Sequence, residues 1–83
     1  MDYKVVLPGK VANNLNRIEK RYRDQLYVVL KGLEKSPLLG KKLWGQYSKY
    51  RSLRVSDYRI IYQVKASELV VLIIKIGNRQ GIY

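Results

Sequence analysis

The sequence predicts an α+β domain of order β-α-α-β-β-β, an antiparallel sheet with two N-terminal helices packed on one face. Three observations carry that expectation. Apolar residues recur at helical spacing only within residues 11–33; β-branched, alternating runs fill residues 50–76; and one short apolar run precedes both. Eighty-three residues make a single domain spanning 1–83. A chain this short buries only about 60% of the surface its unfolded form exposes, so these stripes must share one thin core.

The elements follow in order. "YKVVL" (3–7) is short, apolar and β-branched, and reads as a strand that "PG" at 8–9 stops. From Lys10 the period changes: Val11, Leu15, Ile18 and Tyr22 form a helical stripe whose other face carries Asn13, Asn14, Asn16 and Arg17. Leu26, Val29, Leu30 and Leu33 form a second stripe, with Asp24 near its start where a carboxylate favours a helix N-terminus. A break is expected near residues 20–23, but neither Gly nor Pro marks it, so one bent helix is the other reading. "SPLLG" (36–40) ends the helical region, and "KKLWGQYSK" (41–49) is a basic loop with a lone tryptophan. The strands are 50–55, 58–65 and 69–76, joined by "SD" and "AS". The last of them, "LVVLIIKI", is apolar at both parities and is expected at the centre of the sheet, covered on both faces. "GNRQGIY" is a glycine-bracketed tail.

Composition excludes several kinds of chemistry. Without cysteine or histidine the chain has no disulfide, no thiolate or imidazole metal site, and no imidazole general base. No metal and no cofactor is expected. Asp2 directly after Met1, and apolar runs far short of the roughly 20 residues of a membrane span, lead to an expectation of a soluble, cytoplasmic protein. Seventeen Lys and Arg against six Asp and Glu give a net charge of +11. That imbalance attracts polyanions: nucleic acid, an acidic protein or an anionic membrane surface.

The stretch "YRSLRVSDYRIIYQ" (50–63) holds three arginines, Arg51, Arg54 and Arg59, within nine residues. If Ser56 and Asp57 form a two-residue hairpin loop, Val55 pairs with Tyr58, Arg54 with Arg59 and Leu53 with Ile60. Leu53, Val55, Tyr58, Ile60 and Tyr62 then share the core face, while Arg54 and Arg59 meet on the other. Like charges opposed across a ladder destabilise it. A phosphate between two guanidinium groups turns that repulsion into a clamp; otherwise both side chains splay into screened solvent. Arg51 lies either at the fraying start of the strand or, with a one-residue bulge, beside Arg59. A tail folded back over the last strand would bring Arg79 and Tyr83 to the same arginines.

Three segments, "SPLLGKKLWG", "YRSLRVSDYRIIYQV" and "VVLIIKIGNRQGIY", resemble the RelE/ParE superfamily of toxins, in particular its RelE-like mRNA endonucleases. The resemblance covers nearly the whole chain and is carried by "LRV-x-DYRIIY" together with the terminal "G-x-R-x-x-x-Y". It implies a prokaryotic toxin of a type II toxin–antitoxin system, paired with an acidic antitoxin that covers the sheet face away from the helices. It also implies cutting of mRNA in the ribosomal A site by the ribose 2′-OH, without a metal. Arg59, Arg79 and Tyr83 match the family's catalytic positions, and Arg51 and Arg54 match two basic residues on the strand before the hairpin. Lys41, Lys42, Lys49, Tyr47 and Tyr50 are the expected contacts to RNA or ribosome.

The sequence departs from the resemblance at one point of chemistry. Arginines stand where lysines are usual, and arginine stabilises charge but is a poor proton donor. Lys49, water or the ribosome is left to protonate the leaving 5′ oxygen. With no histidine present, a tyrosine is the leading base; its pKa of about 10 must be lowered by neighbouring cations. The competing reading on the same fold is a ParE-like, non-enzymatic inhibitor of DNA gyrase. A plain nucleic-acid-binding module is a third.

Overall fold

The computed structural model describes residues 2–78. The elements are β1 (Lys4–Val6), α1 (Gly9–Asn16), α2 (Lys20–Leu33), β2 (Lys41–Lys42), β3 (Arg51–Val55), β4 (Tyr58–Lys65) and β5 (Val70–Asn78), with short 3-10 turns at Gly45–Tyr47 and Ala66–Glu68. The sheet order is β1-β5-β4-β3-β2. The expected α+β order is present, with two additions. Residues 41–42, expected as loop, form a short edge strand antiparallel to β3. The sheet is mixed rather than antiparallel, because β1 pairs parallel with β5. Parallel pairing needs a long crossover, and everything between β1 and β5 provides it.

The helical stripes bury as their spacing demands. Val11 and Leu15 of α1 and Leu26, Leu30 and Leu33 of α2 pack with Val55, Ile60, Tyr62, Val71, Ile73 and Ile76 of the sheet. The helices are separate, and they break at residues 17–19 rather than 20–23. Glu19 is extended there (φ −52°, ψ 138°), and Ile18 turns inward against the core. The Arg23 guanidinium donates to the Asn16 carbonyl at 3.2 Å, satisfying the end of α1 where a cation is favoured. A side chain four residues beyond the break does what Gly or Pro commonly does.

β5 is central, between β1 and β4, as expected. Its pairing with β4 shifts register: Ile61 faces Lys75, while Tyr62 faces Ile73. Ile74 is the extra residue of that bulge. Ile73 and Ile76, three apart, would face opposite ways on a regular strand, yet both are buried in the helix-side core. The doubly apolar pattern therefore reflects the bulge more than burial on both faces, and Ile74 itself is exposed.

Candidate nucleic-acid interface

The β3–β4 ladder is regular. Arg51 faces Tyr62, Ser52 faces Ile61, Leu53 faces Ile60, Arg54 faces Arg59 and Val55 faces Tyr58. Ser56 and Asp57 are the two-residue loop, with Ser56 at φ 55°. Because directly paired residues share a face, Lys41, Ser52, Arg54, Arg59, Ile61 and Lys75 all lie on the side away from the helices. Arg59 is half-buried, and its Nη1 donates to Ser52 Oγ at 3.0 Å. Ser52 is the buried polar residue among the described residues, so this bond fixes the guanidinium on the sheet. Arg54 beside it is exposed. On its other flank Arg59 faces Gly77, which has no side chain to cover it.

A groove of about 500 Å³ runs along this edge, lined by Arg54, Arg59, Ser52, Lys41 and Lys42, with Leu39, Leu43, Trp44 and Leu53 completing its wall. No strand of the sheet carries Asp or Glu. The carboxylates Asp2, Glu19, Asp24 and Glu34 pair with lysines and arginines on the helices and the adjoining turns. Asp57 and Glu68 lie in the turns that join the strands, so among the described residues the strands themselves carry only positive charge. No cluster of three or more potential metal ligands exists among the described residues.

Arg51 is not part of this grouping. It lies on the helix side, and its Nη1 donates to the Gly40 carbonyl at 2.8 Å. The Gly40 N–H donates to Tyr62 Oη at 2.7 Å, and the Tyr62 hydroxyl donates to the Pro37 carbonyl at 2.8 Å. These three bonds tie the turn at 37–40 to the sheet and so place β2 with Lys41. A Cβ on Gly40 would lie 2.6 Å from Tyr62 Oη, so only glycine allows the approach. Burial pushes the Tyr62 phenol above its usual pKa, while the Gly40 N–H and the Arg51 charge pull the other way.

The other sequence candidates divide between two places. Lys49, Tyr50 and Arg51, together with Lys42, line a smaller groove of about 270 Å³ on the helix side of the β2–β3 edge. There Lys49 Nζ sits 5.4 Å from the centre of the Tyr50 ring. Tyr47 is exposed on the 3-10 turn. Arg79 and Tyr83 lie outside the described residues. Trp44, 84% exposed at the lip of the larger groove, was noted in the sequence as a lone tryptophan but given no role. Its signal was there: an apolar ring between "KKL" and "GQY" with no stripe to join.

The model of the ParE toxin of type II toxin–antitoxin systems matches residues 5–83. The chain belongs to that family. It is a toxin of the RelE/ParE superfamily, and its solved relatives share the fold described above. An arginine double mutant of the toxin RelE from E. coli, in the free state, is 28% identical over 96% of this chain and 86% of that chain (TM-score 0.79). The toxin of an archaeal RelE–RelB complex from Pyrococcus horikoshii is 26% identical over 98% of this chain and 99% of that one (TM-score 0.82). The toxin–antitoxin complex RelBE2 from Mycobacterium tuberculosis is 22% identical over 95% and 100% (TM-score 0.86), which shows likeness of fold. No curated protein sequence matches. Among the described residues, no helix of the toxin is long and apolar enough to cross a membrane.

Proposed function

We propose that this toxin is a ribosome-dependent mRNA endonuclease that cuts in the A site and so inhibits translation. The observation that carries the reading is the opposed Arg54–Arg59 pair, with Arg59 held by Ser52, in a groove whose lining among the described residues contains no Asp or Glu. Similarity to RelE toxins supports it. In the reaction, the 2′-OH loses its proton and attacks the adjacent phosphorus. The bond to the 5′ oxygen breaks, leaving a 2′,3′-cyclic phosphate and a 5′-hydroxyl end. Arg54 and Arg59 take up the charge that grows on the non-bridging oxygens, joined by Arg79 from the tail. Tyr83 accepts the 2′-OH proton, its phenolate stabilised by these guanidinium groups. Lys41 shares the face of the arginine pair, whereas Lys49 lines the groove on the other side, which supports Lys41 as the proton donor to the leaving oxygen. An acidic antitoxin segment lying over this face would neutralise the groove and block it, as expected from charge complementarity.

The test is cleavage of mRNA on programmed ribosomes by the wild type, Arg59→Ala and Tyr83→Phe. Wild type should yield cyclic phosphate ends, both variants should be strongly impaired, and a message with a 2′-deoxy sugar at the scissile position should survive. Cutting of the deoxy message sinks the mechanism. The second reading, a ParE-like inhibitor of DNA gyrase, is favoured by the description of the matching family model. DNA damage with intact mRNA in arrested cells would select it.

A further inference from the structure

We propose that Trp44 is a base-stacking platform, holding one base of a single-stranded RNA whose phosphate rests between Arg54 and Arg59. The inference rests on the endonuclease reading and deepens it by adding a subsite. Trp44 is the only tryptophan of the chain, and at 84% exposure it is the most exposed large apolar residue of the described chain. Folding does not account for its position, since it lies outside the core and outside the residues packed against it.

Its backbone, in contrast, is tied down on both sides. The Leu43 N–H donates to the Tyr50 carbonyl at 3.1 Å, and the Trp44 carbonyl accepts from the Tyr47 N–H at 3.2 Å. Gly45, at φ +62°, turns the chain sharply just after it. The ring is therefore presented by an ordered backbone at the lip of the groove that also holds Lys41, Lys42, Arg54 and Arg59. Cations that track a phosphate backbone, with an aromatic face beside them, are the two parts of a single-strand site. Stacking accepts any base, because each has a π-face, while the cations supply salt-dependent affinity. A protein segment seated here would meet the ring too, but among the described residues the lining offers it four cations and no Asp or Glu.

Because the chain has one tryptophan, its fluorescence reports this site alone. The titrants are a short single-stranded RNA with 2′-O-methyl sugars, which cannot be cut, an abasic strand of equal charge, and an acidic peptide. The RNA should quench Trp44, and the abasic strand should bind through its phosphates with little quenching. Trp44→Ala should weaken RNA binding by about 5- to 100-fold, leave abasic binding unchanged, and be rescued by Trp44→Phe. The exposed site argues against misfolding as the cause of loss, and circular dichroism of the variants checks it. Equal quenching by the abasic strand, quenching by the peptide alone, or undiminished RNA binding by Trp44→Ala each overturns the proposal. Ribosomal cutting by the wild type separates that failure from failure of the endonuclease reading.

Discussion

Arg51 and Arg59 sit on neighbouring strands, a few residues apart, and have opposite fates. On the helix side, Arg51 gives a hydrogen bond to a buried carbonyl, within a set of bonds that also satisfies the Tyr62 hydroxyl and the Gly40 N–H. On the other side, Arg59 is fixed by a serine and set against another arginine, on a sheet without acids. The first arrangement is what folding selects: polar groups in a low-dielectric site are satisfied by protein partners. The second costs folding energy through like-charge repulsion. Under the proposed function, an anion seated between the two guanidinium groups removes that repulsion.

The largest expected effect breaks the comparison from the helix-free side. Arg59→Ala should lower mRNA cutting on ribosomes by about 10²–10³-fold, as loss of one preorganised charge donor does, with the unfolding midpoint almost unchanged. Arg51→Met should do the reverse. It should lose about 1.5–3 kcal/mol of stability in urea unfolding, as for a hydrogen bond from a charged group, while cutting per folded molecule falls far less than for Arg59→Ala. If Arg51→Met were stable and inactive, the division between the faces would be wrong.

Next in size is Gly40→Ala. The added methyl meets the Tyr62 ring and hydroxyl in a buried site, and overpacking of this kind costs about 1–3 kcal/mol. Because the displaced turn carries Lys41, cutting should fall along with stability, which would show that the helix-side bonds position the open-side groove.

A smaller, pH-dependent effect isolates Tyr62. Its phenol is pushed above the usual value, mainly by burial. Below the free-phenol pKa of about 10, folded and unfolded chains both hold the proton and the contribution is intact. Above it the unfolded chain ionises first, so stability declines as pH rises through the folded value. Tyr62→Phe should be less stable at neutral pH and show a shallower alkaline decline, measured by urea unfolding from neutral to alkaline pH. Parallel curves would show that the phenol contributes nothing to the slope.

The smallest expected effect is Ser56→Gly. Ser56 holds φ 55° at the first position of the hairpin loop, where glycine carries no steric penalty. A gain of about 0.5 kcal/mol is expected from relief of that conformation, with cutting unaffected. A loss would mean that the serine side chain stabilises the turn.

How far the sequence reaches can be judged from particular residues. Alternation and helical spacing need only local geometry, so the order of elements, the two-residue loop and the opposition of Arg54 to Arg59 were legible in it. The helix break was misplaced because Arg23, a side chain, supplies the cap in place of a glycine or proline. Lys41 and Lys42 carry no strand signal; they pair because the turn before them is anchored to Tyr62 and Arg51.

By itself, then, the sequence determined the α+β order, the core stripes and the arginine pair, since each follows from period and from excess charge within a short span. Tertiary structure alone decided that β1 runs parallel to β5, that a bulge at Ile74 sends Ile73 and Ile76 to one face, and that Arg51 lies on the helix side and holds Gly40. It also decided that Trp44 stands beside Lys41 and the arginines. The physical reason is common to all of these: pairing direction, register and loop placement depend on contacts between residues far apart in the chain, which no local pattern encodes.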